Sequence, residues 1–167
     1  SIRNGPLSRY GAYGIIGILI LLAWYYSYKG RIKVSKGFSG KTITRFKAIE
    51  RFSHWLMAGS FVVLALTGLN LLYGKYLLLP ILGPETFSMI TTSGKYAHNF
   101  LSFAFMLGLG MSFVCWVSHN IPSKLDIEWL RQGGGLFDDS HPPARKFNAG
   151  QKIIFWAVML GGLSISL

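Results

Sequence analysis

Four long apolar runs constrain this chain more than any other feature of its sequence. They extend over residues 10–28, 55–73, 97–117 and 153–167. A helix that crosses a bilayer needs about 20 apolar residues, because the hydrocarbon core is about 30 Å thick. The first three runs have about that length. We therefore expect a helical integral membrane protein rather than a soluble domain.

The first and last runs raise separate questions. The first ends in bulky aromatic residues with no small-residue cleavage site after it, so we interpret it as a retained anchor rather than a signal peptide. The last run has 15 residues, which form about 22 Å of helix. That is too short to cross the core, so we expect a longer natural chain that completes this span.

Composition supports a membrane location. Only 14% of the residues are charged and 51% are hydrophobic, whereas soluble domains carry about 25% charged residues. The formal net charge of +11 is typical of nucleic-acid binding, but here the basic residues lie between apolar runs, so membrane topology explains them better. The single cysteine, Cys115, excludes an internal disulfide and a cysteine metal cluster.

The distribution of basic residues predicts the orientation. The segment 29–51 contains eight lysines and arginines against one acidic residue, and the segment 118–152 contains five more basic residues. The segment 74–96 contains only two. By the positive-inside bias, we expect 29–51 and 118–152 in the cytoplasm, and the N-terminus and 74–96 outside.

Two connecting segments are unusual for free loops. The segment 74–96 is rich in leucine around Pro80, Gly83 and Pro84, so we expect a loop that lies on the outer interface. The segment 118–152 is long, and we expect one short helical turn over 126–130 within it. A connection of that length is usually functional or docks a partner.

Two histidines lie just inside the ends of apolar runs. His54 begins the second run and His98 begins the third, so the predicted topology places them near opposite faces of the membrane. Ionisable residues in spans are usually functional, and neutral imidazole is a common ligand of haem iron. The pattern suggests two stacked haem sites. The alternative is that each histidine only binds headgroups or carbonyls at the interface.

Each histidine would need a second ligand on a facing helix. His119 lies on the same predicted side as His54, but an exposed residue at a helix end is the favoured interpretation. His141 precedes two prolines and is interpreted as solvated or in contact with a partner. We expect both missing ligands after residue 167, as a histidine pair about 14 residues apart, because four helical turns take about 14.4 residues.

Small and amide residues add weaker signals. Gly68 follows His54 by 14 residues and shares its helix face, where a helix or a flat macrocycle can approach; ordinary helix packing is the alternative. Asn148, Gly150 and Gln151 begin the fourth run. Their polar groups beside an apolar groove suit a quinone carbonyl, although Asn148 as a plain helix N-cap is the simpler interpretation.

Other classes of function lack support. The sequence shows no nucleophile with a general base, no glycine-rich phosphate loop after a strand and no metal-spaced cysteines. Paired intramembrane carboxylates and broken spans, which are typical of transporters, are not evident either.

The motifs together resemble a known family. The segments 51–55, 65–68, 98–99 and 147–152 are similar, in order and spacing, to the gamma subunit of membrane-bound respiratory formate dehydrogenase, a di-haem cytochrome b. The resemblance extends from about residue 44 to the end. Cytochrome b subunits of nickel–iron hydrogenases and thiosulfate reductases share this architecture and remain alternatives, as does a haem-free anchor that docks a redox complex.

The resemblance implies a domain organisation and a fold class. An all-α transmembrane bundle is implied, with the four-span di-haem core of the family preceded by one extra span. Residues 1–28 would form an external N-terminus and the extra helix, 29–51 a basic cytoplasmic linker, and 52–167 the C-terminally incomplete cytochrome b domain. Location in the bacterial inner membrane follows from the same resemblance.

The resemblance also assigns sites. His54 matches a ligand of the cytoplasmic-side haem b and His98 a ligand of the outer-side haem b, while the partner ligands lie on a later helix. Asn148, Gly150 and Gln151 match the region that lines the quinone pocket. The implied role is to pass electrons from an iron–sulfur beta subunit, fed by a molybdenum or tungsten alpha subunit, through two haems to membrane quinone. A higher-order oligomer of the heterotrimer is compatible with this role.

Overall fold

The computed structural model describes residues 5–30, 40, 42–135 and 142–166. In these ranges all regular structure is helical, which confirms the predicted fold class. Four of the helices are long and apolar enough to cross a membrane. The α-helices are α1 (Pro6–Lys29), α2 (Ala48–Leu77), α3 (Leu79–Trp116), α4 (Lys124–Arg131) and α5 (Ala149–Ser166), with short 3₁₀ turns at Val117–His119 and Gly133–Gly135.

The chain forms two compact units, residues 1–43 and 44–167. The first contains α1, which begins with Pro6 in its first turn, where a missing N–H is harmless. It ends before Gly30, whose φ of 67° closes the helix. Almost all large apolar side chains of α1 are exposed, as expected for a helix that faces lipid.

In the second unit, α2 and α3 form a helical hairpin with only Leu78 between them. The predicted interface loop over 74–96 is therefore wrong, because this segment is helical. Its prolines misled the prediction, since Pro80 lies in the first turn of α3 and Pro84 restarts the helix after a kink. The kink is at Gly83, where φ is 75°, a conformation that favours glycine.

Glycines set the spacing of the helices in this unit. A Cβ atom at Gly108 in α3 would lie 2.7 Å from the backbone nitrogen of Met57 in α2, so the two backbones are close. A Cβ atom at Gly162 in α5 would lie 3.1 Å from the side chain of Leu109. Both glycines therefore allow close packing of the helices. The buried apolar core consists of Phe105, Leu109, Trp116, Phe155 and Met159.

The connection between α3 and α5 is more ordered than expected. The turn predicted over 126–130 is a helix of eight residues, α4. Lys152 of α5 is buried, and its ammonium group donates to the carboxylate of Asp126 (2.7 Å) and to the carbonyl of Ile121 (3.0 Å). These bonds hold α4 against the start of α5.

Candidate functional site

A cavity of about 490 Å³ lies among the start of α2, the end of α3 and the first turns of α5. Most of the wall is formed by apolar and aromatic side chains, among them Trp55, Met57 and Phe155. The polar side chains in the wall are those of Glu50, Arg51, His54, Asn120 and Gln151. Such an apolar cavity with a few polar groups is typical of a cofactor or small-molecule site.

His54 lies in this cavity, on the second turn of α2. Its ring lies 5.2 Å from the ring of Trp55 and 6.3 Å from that of Trp116, measured between centroids. Within the part of the chain that the structure describes, neither ring nitrogen makes a hydrogen bond. A neutral imidazole with a free nitrogen that faces an apolar cavity can ligate a metal.

Glu50, one helical turn before His54, is a buried carboxylate with several partners. It accepts hydrogen bonds from the indole N–H of Trp116 (2.9 Å), from the backbone N–H of Lys47 (2.7 Å) and from the ammonium group of Lys146. The side chain of Glu50 therefore fixes Trp116 beside the imidazole of His54. Sequence reasoning missed this role, although the spacing of four residues from His54 was a signal for a shared helix face.

His98 lies elsewhere, where α3 contacts the middle of α2. Its Nδ1 is 2.7 Å from the hydroxyl oxygen of Thr67, and that hydroxyl donates to the carbonyl of Val63 at 2.8 Å. When the proton of Thr67 is used there, the Thr67 oxygen accepts from the Nδ1–H of His98. The Nε2 of His98 is then the nitrogen with a lone pair, and can act as a ligand.

The two histidines belong to separate sites. Thr67, the partner of His98, follows His54 by 13 residues in α2, which is about 20 Å along the helix axis. A Cβ atom at Gly68 would lie 3.8 Å from Cε1 of His98, so the face of α2 that carries His54 also receives His98. This separation along α2 is too large for the two side chains to bind the same haem iron.

The three residues predicted for quinone differ in their positions. Gln151 lines the cavity, whereas Asn148 and Gly150 do not contribute to its wall. Asn148 and Gln151 cap α5 reciprocally: each side-chain oxygen accepts from the other backbone N–H, at 2.9 and 3.0 Å. The simpler N-cap interpretation of Asn148 is therefore confirmed. A Cβ atom at Gly150 would lie 3.1 Å from the ring of Trp129, so this glycine makes room for α4.

Asn120 is a cavity residue that sequence reasoning missed. It is 1% exposed, and its side-chain NH₂ donates to the carbonyl of Trp116 at 2.8 Å. Its side-chain oxygen has no hydrogen-bond partner in the described ranges. A single asparagine after a helix gives no sequence signal that distinguishes it from an ordinary turn residue.

Asp126 in α4, which does not line the cavity, has a shifted pKa. Burial acts to raise the pKa of its carboxyl group, but the hydrogen bonds from Lys152 and Ser123 and the charge of Lys152 outweigh burial, so the pKa lies below the ordinary 3.8. Asp126 is therefore ionised near neutral pH and holds Lys152 in place.

The remaining histidines do not join these sites in the described structure. His119 is exposed, its Nδ1 lies 3.0 Å from the hydroxyl of Ser118, and it is not part of the cavity wall. His141 lies outside the described residues. Among the described ranges no group of three or more His, Cys, Asp or Glu side chains could hold a metal ion. The described residues bring one histidine, His54, to the cavity and one, His98, to the Thr67 contact.

Comparison with known proteins agrees with this architecture. Residues 45–167 match the family model described as prokaryotic cytochrome b561. The match covers the whole unit that contains α2 to α5 except its first residue. A family of b cytochromes implies a b-type haem.

Curated relatives are cytochrome b subunits of formate dehydrogenases. The nitrate-inducible cytochrome b556(Fdn) subunit of Escherichia coli (strain K12) is 36% identical over 122 residues, which are 71% of this chain and 54% of the relative. The cytochrome b556(fdo) subunit of the same strain is 27% identical over 121 residues, with the same shares. The cytochrome b556 subunit of Haemophilus influenzae is 28% identical over 130 residues, 74% of this chain and 51% of the relative. The resemblance noted from the motifs is confirmed, and the chain spans about half the length of these relatives.

Proposed function

This chain belongs to the prokaryotic cytochrome b561 family, and from that premise we propose that it is the quinone-reducing membrane subunit of a formate dehydrogenase. The carrying observation is that His54 on α2 and His98 on α3 lie at levels about 20 Å apart along the axis of α2, each with a ring nitrogen free to bind iron. Two such positions suit two stacked redox groups better than a simple membrane anchor.

The residues around His54 fit a b-type haem. A haem is a flat, apolar macrocycle with an anionic edge, and the cavity offers an apolar wall, a free imidazole and the guanidinium group of Arg51. His54 would bind the iron, while Trp55 and Met57 would exclude water from it. When bound, the haem supplies one-electron transfer, and the protein orients and tunes it.

The residues around His98 fit a second haem. Thr67 fixes the tautomer in which Nε2 is unprotonated, and Gly68 leaves the helix face open beside the ring. A ligating histidine usually donates its other N–H to a fixed acceptor, which orients the ring and raises its basicity. Thr67 fills this role for His98. We propose His98 as the ligand of the outer-side haem and His54 as the ligand of the cytoplasmic-side haem.

The quinone would bind beside the cytoplasmic-side haem, at the edge of the cavity where α5 begins. Gln151 lines the cavity, and its amide NH₂ has no partner in the part of the chain that the structure describes, so it can donate to a carbonyl. Asn148 holds Gln151 in position through the reciprocal caps. Gly150 allows Trp129 to pack beside this end of α5.

The proposed partners and location go beyond the membrane subunit itself. We propose that an iron–sulfur subunit delivers electrons from a molybdenum or tungsten subunit that oxidises formate; the relatives are named as cytochrome b subunits of formate dehydrogenases, which supports a formate-oxidising partner. We further propose a bacterial inner-membrane location with the N-terminus outside and the 29–51 and 118–152 segments in the cytoplasm, because these segments carry most of the basic residues.

The test is quinone reduction by inverted membrane vesicles that contain the full-length complex. Formate should reduce a short-tailed naphthoquinone with the wild-type complex, and both His54→Ala and His98→Ala should abolish this activity. His119→Ala, an exposed histidine outside the cavity, is the matched control and should retain it. Haem content is measured in parallel. If both His54→Ala and His98→Ala retain quinone reduction, the subunit is only an anchor. If hydrogen replaces formate as the effective donor, or if the complex instead reduces thiosulfate with electrons from quinol, the partner assignment is wrong.

A further inference from the structure

The inner face of α4, which lies against α5, is defined by two contacts. Asp126 accepts a hydrogen bond from the ammonium group of Lys152 at 2.7 Å. The ring of Trp129 lies 3.1 Å from the position that a Cβ atom would have at Gly150. Because residues three positions apart share a side of a helix, Asp126 and Trp129 fix the orientation of α4 about its own axis.

The next side of α4 carries two apolar side chains in contact with the surroundings. Ile127 and Leu130 each follow an inner-face residue by one position, which is about 100° around the helix. They are 55% and 51% exposed. A single exposed apolar side chain is common on any protein, so the depth of this pair relative to the membrane decides what it contacts.

The contacts of α4 place it at the level where a spanning helix begins. Gly150 and Lys152 belong to the first turn of α5, which is long and apolar enough to cross a membrane. The headgroup region on each side of the hydrocarbon core is about 6 Å thick, roughly the length of that turn. The exposed pair Ile127 and Leu130 therefore lies at the height of the lipid headgroups and the first acyl carbons.

Charges on α4 are distributed as expected for a helix in this zone. Lys124 and Arg131 are exposed and lie three and four positions from Ile127, on the same side of the helix. Long basic side chains beside apolar ones can cover lipid chains with their stems and reach phosphate groups with their charges. The exposed acidic residue, Glu128, lies about 160° around the helix from Leu130.

We propose that α4 is an interfacial helix that inserts Ile127 and Leu130 between the lipids of the bilayer, with Lys124 and Arg131 bound to lipid phosphate groups. The same helix is tied to α5 by the bond between Asp126 and Lys152. The bilayer then holds α4 from one side and α5 holds it from the other. This contact with lipid is independent of the haem and quinone proposals.

The test is cysteine accessibility in the full-length complex, reconstituted in vesicles of phosphatidylethanolamine and phosphatidylglycerol. Ile127→Cys, Leu130→Cys and Glu128→Cys are each made together with Cys115→Ala, which removes the single native cysteine. One probe is a charged, water-soluble maleimide, admitted to both faces of the membrane by freezing and thawing. The other is a long-chain alkyl maleimide dissolved in the bilayer. Labelling of this subunit is measured after its separation on a denaturing gel.

The two probes should give opposite orders of reactivity. A thiol in apolar surroundings is mostly protonated, so Ile127→Cys and Leu130→Cys should react with the charged maleimide about tenfold more slowly than Glu128→Cys. The long-chain maleimide should label the first two variants and leave Glu128→Cys largely unlabelled. In the wild-type complex, a diazirine dissolved in the bilayer should label Ile127 and Leu130 on irradiation, which tests the inference without any substitution.

Three results would overturn the inference. Equal reaction of all three variants with the charged maleimide would place the pair in water. Failure of both maleimides at positions 127 and 130 would show that a protein surface covers them. A wild-type complex in which the diazirine labels α5 but not α4 would place α4 away from the lipid.

Discussion

The two histidine sites of this molecule are held in different ways. The ring of His98 is oriented directly, by a 2.7 Å hydrogen bond to Thr67 on the neighbouring helix. The ring of His54 is oriented indirectly, by the aromatic side chains around it, and one of these, Trp116, is fixed by the buried carboxylate of Glu50. One site depends on a single polar contact between two helices, and the other depends on a wall built from several segments.

This difference in how the two rings are held shows which helices contribute to each site. Within the described ranges, the His98 site is built from α2 and α3. The His54 site also requires Lys146, which pairs with Glu50, and the start of α5, which contributes Gln151. Substitutions can therefore affect both sites, or only one of them.

The largest effect is expected where α2 and α3 touch. Gly108→Leu forces a side chain into the backbone of Met57, 2.7 Å from the position of a Cβ atom. The helices must separate, so we expect a loss of about 3 kcal/mol of stability and of haem at both sites. Haem content per purified complex measures this. Gly110→Leu, where nothing lies within 4 Å, is the control and should keep both haems; equal behaviour of the two variants would contradict the account.

A change at Glu50 should affect the His54 site alone. In Glu50→Gln one oxygen becomes an NH₂ group, so either Trp116 and Lys146 or the backbone N–H of Lys47 lose their acceptor, and Lys146 also loses its counter-charge. Since the carboxylate is buried, we expect a loss of about 2 kcal/mol. Stability is measured by the loss of helical circular dichroism on heating, and the state of each site by the absorbance spectrum of its haem.

The control for that change is Glu128→Gln. Glu128 is exposed, and its carboxylate contacts the side chain of Gln132 at 3.4 Å. It should behave as wild type. A Glu50→Gln complex with an unaltered His54-side haem would show that the carboxylate does not support this site.

A change at Thr67 should affect the His98 site alone. Thr67→Val keeps the shape but removes the acceptor for Nδ1–H, so the ring loses its fixed orientation. Loss of such a supporting contact typically weakens metal binding by about tenfold. Competition with a haem-scavenging apoprotein measures the haem affinity. Thr91→Val, which removes only the acceptor for Asn70, should leave this affinity unchanged, and the same loss in both variants would argue against a specific role for Thr67.

The smallest effect is expected from pH at Asp126. Its folded pKa lies below the ordinary 3.8 because Lys152 and Ser123 bind the ionised form. The ion pair therefore stabilises the folded protein fully above the ordinary pKa and is lost as the pH falls through the lower folded value. Thermal unfolding followed from about pH 6 downward should show this loss in wild type and not in Asp126→Asn. Parallel curves for the two proteins would contradict it.

The sequence predicted elements whose causes are local. The apolar runs at α2 and α3 and the cap of α5 at Asn148 depend on neighbouring residues, and all are present. The segment 74–96 was predicted as a loop because its prolines were read as breaks, whereas each lies at the start of a helical stretch. Proline is compatible with the first turn of a helix, so composition alone did not distinguish the two cases.

The sequence alone did not predict contacts between residues that are distant in the chain. His54 and His98 were found because histidine is rare in a span. Glu50 reaches Trp116 across 66 residues and Lys146 across 96, and no local pattern links them. The free oxygen of Asn120 depends on where the end of α3 meets α5. Glu50, Trp116 and Asn120 come together in the cavity wall only after the helices have packed.

The central claim is tested most directly by a redox titration of the reduced-minus-oxidised absorbance spectrum of the full-length complex. The account predicts two b-type components in the wild-type spectrum, one lost in His54→Ala and the other lost in His98→Ala, with His119→Ala unchanged. If each alanine variant retains both components, or if the wild-type complex shows no b-type band, these two histidines are not haem ligands.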